Sequence, residues 1–130
     1  MANKKKAMLF ALNPGEELPN AELVAIHQAL IKLVFDLNES LGTARTVDEV
    51  DLILLEISEV NHRVSLVGKL LFRRQTDKIV EAAEAVKDAI KQTKAAIAEA
   101  ENFKAYAEQL ASFLGLVDKV IDMVKIVTPV

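Results

Sequence analysis

The chain is 130 residues long, 52% hydrophobic but only 5% aromatic, with no cysteine and a formal charge of −3 from 16 basic and 19 acidic side chains. A chain of that size makes one domain with a real core, and the missing cysteine excludes disulfides, thiolate metal sites and a cysteine nucleophile. Alanine and aliphatic residues with few glycines favour helices over sheets, and the interleaved charge lacks the concentrated basic surface that nucleic-acid binding requires.

Residues 1–19 read as an arm distinct from the helical domain expected over 20–130. Lys4, Lys5 and Lys6 precede the apolar run Ala7-Met8-Leu9-Phe10-Ala11-Leu12, which meets Asn13-Pro14-Gly15-Glu16-Glu17. The run suits a short strand or an extended segment lying across a helical surface, and Pro14-Gly15 is a turn signal. It is shorter than the roughly 7–15 apolar residues of a secretion signal, and no small-residue cleavage site follows. Nor does any stretch approach the roughly 18 apolar residues of a spanning helix. The expected compartment is the cytoplasm.

The first helix is expected near 20–41, with Asn20 as N-cap, Glu22 in its first turn and Gly42 as a left-handed cap. Leu23, His27, Leu30, Val34, Leu37 and Leu41 share one face, which Val24, Ile31 and Phe35 widen to the side. Thr46-Val47-Asp48-Glu49 has capping-box spacing and opens a second helix near 46–75. The short connection makes the two antiparallel neighbours. Val50, Ile53, Ile57, Val60, Val64, Val67 and Leu71 form the main face of the second helix. Leu52, Leu55, Leu66 and Leu70 fall roughly opposite at 100° per residue. A helix apolar on two sides is central in a bundle or covered by another molecule.

From Thr76 to Val127 an apolar seam recurs at spacings of three and four, with Thr93 as its polar intruder. Its phase shifts around Ala100, Phe103 and Ala107, which marks a stammer or a break. One unbroken helix would run roughly 75 Å at 1.5 Å per residue, well beyond the first two. A break near Glu101-Asn102 instead gives helices near 77–101 and 103–127, and with them an all-α, four-helix up-down bundle preceded by the apolar arm. The alternative is three helices with a long C-terminal helix completed by oligomerisation.

Few residues offer chemistry. Glu59-Val60-Asn61-His62 matches the Glu-x-x-His pattern of di-metal bundles, but such sites need two of these motifs and two further glutamates. Glu59 and His62 are therefore metal candidates only if a dimer completes the set, and the plainer reading is a polar interruption in a helix face. His27 in the first apolar stripe reads as a core histidine bonded to a carboxylate or carbonyl. Tyr106 is expected at the rim. No phosphate loop or nucleophile elbow is present, so neither an enzyme nor a bound cofactor is expected.

The apolar surface exceeds what four short helices hide from one another. The expected function is a non-catalytic helical interaction or assembly module, partnered by a second copy or another helical protein. Leu52, Leu55, Leu66, Leu70, Phe113 and Val120 are the partner-binding candidates. A second reading releases the amphipathic last helix onto lipid, although its polar face balances Asp118 and Asp122 against Lys119 and Lys125 and carries no cationic excess. The third is the dimer-completed metal site.

Overall fold

A computed structural model of the chain describes residues 18–99 and 103–127. The expectations for residues 1–17, including the Pro14-Gly15 turn, lie outside this range. Within it the chain forms α1 (Ala21–Ser40), a short 3-10 turn (Leu41–Thr43), α2 (Val47–Gly68), α3 (Asp77–Glu99) and α4 (Phe103–Lys125). The fold is an all-α bundle of four helices.

Local sequence explains where each helix starts. The side-chain oxygen of Asn20 accepts from the backbone N–H of Glu22 and Leu23, satisfying two of the donors that a helix N-terminus leaves unpaired. Thr46 accepts from Glu49 N–H at 3.1 Å, and the Glu49 carboxylate reaches back to Arg45 N–H at 2.7 Å. That is a capping box displaced by one residue on its return bond. Thr76 opens α3 by accepting from Ile79 N–H at 3.2 Å.

Two ends differ from expectation. Gly42 sits inside the 3-10 turn, outside the left-handed region, while α1 is closed by Leu41 in the right-handed region. The first helix therefore tightens into its connection. The second helix stops at Gly68, short of the residue 75 expected from its apolar pattern. Beyond it, Leu70 N–H bonds Val67 C=O and Arg73 N–H bonds Leu70 C=O, which are tight turns. The carbonyls of Leu71 and Arg73 are taken by Asn20, through its backbone N–H and its side-chain amide. Tertiary bonds thus claim the groups that a longer α2 would have used internally, and periodicity along one segment carries no trace of them.

The long C-terminal helix is likewise absent. α3 and α4 fold back on each other, and Gln109 donates to the Thr93 hydroxyl at 3.4 Å across the hairpin. Thr93 is fully buried and also donates to Ala89 C=O, so the polar intruder is satisfied within the core. The break falls between Glu99 and Phe103, as the shifted seam predicts.

Each helix packs on two others: α1 on α2 and α3, and α4 on α3 and α2. Asn20 beside Leu71, and His27 beside Gly68, make α1 and α2 antiparallel. Arg63 with Asp118, and Arg73 with Val127, make α2 and α4 parallel. The segment joining α2 to α3 therefore crosses one end of the bundle. The core is built from Leu23, Leu30 and Leu37 of α1, Ile53, Val60 and Val67 of α2, Ile79, Ala83 and Val86 of α3, and Leu110, Phe113, Val117 and Val124 of α4. Ala83 has no exposure at all, and its small side chain lets α3 approach its neighbours closely.

Tyr106 corrects the expectation of a rim position, because it is buried to 1% exposure among the core residues. Burial raises its pKa, partly offset by nearby Ser40, yet the hydroxyl closes no hydrogen bond of good geometry. Ser40 spends its own proton on Leu37 C=O at 2.7 Å.

Candidate interaction surface

The apolar surplus expected from the sequence is present, and it has a definite location. Within the helices, the large apolar side chains left exposed are Ile31 and Phe35 of α1 and Val47, Leu54 and Leu55 of α2. Phe35 is 65% exposed and Val47 75%. Among the described residues, α3 and α4 contribute none.

Helical geometry brings these residues together. The His27 ring lies over Gly68, with its Nε2 only 3.3 Å from where a Cβ would stand, so the seam between α1 and α2 passes through this pair. Ile31 and Phe35 follow His27 at steps of four residues, each step turning about 40° further from the core. On α2, Asn61 and Leu54 precede Gly68 at steps of seven, a spacing that keeps them on nearly one line. Because the helices are antiparallel, both series climb the same furrow. Val24, Asn38, Val50 and Ser65 also flank it, so its walls carry no formal charge. At the end near the α1–α2 connection stand exposed Glu39, Asp48 and Asp51.

The six residues expected to bind a partner separate into distinct environments. Leu55 is 56% exposed and stands next to Leu54 at the outer edge of the furrow. Leu52 and Leu66 are half-buried, Leu66 packing against the core, and Leu70 is buried. Phe113 and Val120 have no exposure, being spent on the intramolecular core of α4. Phe35, Ile31, Val47 and Leu54 join the surface in their place. Their signal was the width of the first stripe: a helix in a bundle needs only one narrow apolar face, and α1 carries a second flank.

The polar candidates are structural. Arg63 donates to both carboxylate oxygens of Asp118, at 3.0 and 2.9 Å, and to Glu59 at 2.8 Å. This two-pronged geometry ties α2 to α4. The bonds to Asp118, ahead of the opposing effect of burial, raise the Arg63 pKa. Glu59 is thereby committed to Arg63, His62 is exposed, and no group of three or more His, Asp or Glu side chains suitable for a metal occurs among the described residues. His27, expected to bond a carboxylate or carbonyl, is half-buried against Gly68 and has no such bond among the described residues. It acts there as packing. Glu56, beside this cluster, has its pKa raised by burial and then by Glu59.

On the α1–α3 side, Lys87 pairs with Glu22, whose bond raises the lysine pKa. No described helix is long and apolar enough to cross a membrane. Comparison with protein-family models, curated proteins and solved structures found no match.

Proposed function

We propose that the protein is a non-catalytic helical interaction module that self-associates through the α1–α2 furrow, acting in the cytoplasm. The observation that carries this reading is the concentration of exposed large apolar side chains on one uncharged face. Contiguous apolar surface of this kind marks docking sites more often than scattered exposure does. Fully burying a side chain such as Phe35 is worth about 1.5–3 kcal/mol, so a symmetric dimer that covers two furrows has a substantial driving force. Sedimentation across a wide concentration range tests this. Association that Phe35→Asp abolishes supports it; a parent chain that stays monomeric throughout sinks it.

Release of α4 onto lipid is the weaker proposal. It would have to expose Phe113, Val117 and Val120 and break the Arg63–Asp118 pair. Vesicle flotation tests it, with no binding as the expected result.

A further inference from the structure

We infer that the chain's own N-terminal segment, residues 7–12, seats in the α1–α2 furrow and shields it from partners.

The point of entry favours this. Asn20 N–H bonds Leu71 C=O, so the chain reaches α1 beside the end of α2, at the mouth of the furrow. Leu18 and Phe72, both exposed apolar residues, stand at that mouth and continue the surface outward.

Length agrees as well. Phe35 lies fifteen residues beyond Asn20, about 22 Å along the helix. From Leu18 back to Met8 an extended chain covers up to about 33 Å. That is enough to carry residues 8–12 past Ile31, Phe35 and Leu54 with slack for a turn at Pro14-Gly15.

Charge completes the match. With residues 7–12 in the uncharged furrow, Lys4, Lys5 and Lys6 come to its far end, where Glu39, Asp48 and Asp51 are exposed. Running the segment the other way along the furrow would bring the lysines to the mouth instead, away from these carboxylates. The apolar part meets apolar walls, and the basic part meets the acidic end.

The consequence for the proposed function is a competition. A second copy must displace the segment before it docks, so the segment raises the concentration at which association begins. This regulatory meaning rests on the interaction reading; the seating itself is measured separately.

The chain has no cysteine, so Asn13→Cys gives a single labelling site on the full chain. A nitroxide placed there should broaden the amide signals of Ile31, Phe35 and Leu54 in isotope-labelled protein. Phe35→Asp in the same labelled chain should restore them. Unchanged signals on this face, or broadening confined to α3 and α4, would overturn the inference. So would equal broadening when the nitroxide and the isotope label are on different molecules, which would mean exchange of the segment between copies. Seating within one molecule together with a strict monomer by sedimentation would leave the inference standing and defeat the interaction reading.

Discussion

α4 and the α1–α2 face carry similar amounts of apolar side chain and use it in opposite ways. Every large apolar residue from Leu110 to Val124 that faces the core is buried, while the opposite side of α4 is polar. α1 and α2 bury one stripe each and then leave Ile31, Phe35, Val47, Leu54 and Leu55 in water. Where polar and apolar sides divide cleanly, the fold accounts for the whole apolar face. Where the stripe is too wide, the fold uses its inner part and the remainder needs another explanation.

The sharpest contrast is between two phenylalanines. Phe113→Ala should cost about 3–5 kcal/mol, as expected for emptying a filled core site. Phe35→Ala should move stability by no more than about 0.5 kcal/mol, because the side chain is mostly in water already. Chemical denaturation of both variants checks this, and a large loss for Phe35→Ala would erase the distinction between the two regions.

Asn20→Ala comes next, at about 2 kcal/mol, the upper end for a helix cap. It removes the cap of α1 and also the side-chain bond to Arg73 C=O that closes the mouth of the furrow. Thr46→Ala, whose cap is exposed, should cost about half as much. Equal losses would mean that the Asn20 bond to the α2–α3 segment contributes nothing.

Arg63→Ala should cost about 1 kcal/mol, since both of its carboxylate partners are nearly half exposed and water screens the pairs. Thermal unfolding measures it.

The smallest effect is a pH dependence at Glu56. Its folded-state pKa is raised by burial, so the folded protein holds this proton more tightly than the unfolded chain does. Ionisation therefore removes stability as pH rises through the window between the unfolded and the folded pKa. Glu56→Gln should be at least as stable as the parent at neutral pH. That advantage should fade as the pH falls below the ordinary glutamate range. A variant less stable than the parent at neutral pH would contradict the assignment.

The four helices were legible because their caps and periods are local. Asn20, Thr46 and Thr76 each announce a start, and the shifted seam announces the turn between α3 and α4. The end of α2 was not legible, because Gly68 and the carbonyls of Leu71 and Arg73 answer to α1 across the bundle. Tyr106 was misplaced at the rim because a polar tip on a large ring gives no sign of which end of the core it will fill. The surface was half legible. An apolar excess follows from counting faces, but which residues are left over depends on how the helices rotate. Only the His27–Gly68 contact shows that Phe35 and Leu54 border one furrow while Phe113 and Val120 turn inward.

The central claim is that this furrow is an association surface, and sedimentation equilibrium of the full chain beside Phe35→Asp tests it most directly. The account predicts a parent whose average mass rises with concentration and a folded variant that remains monomeric. A parent that stays monomeric at the highest concentration, or a variant that associates as the parent does, would contradict it.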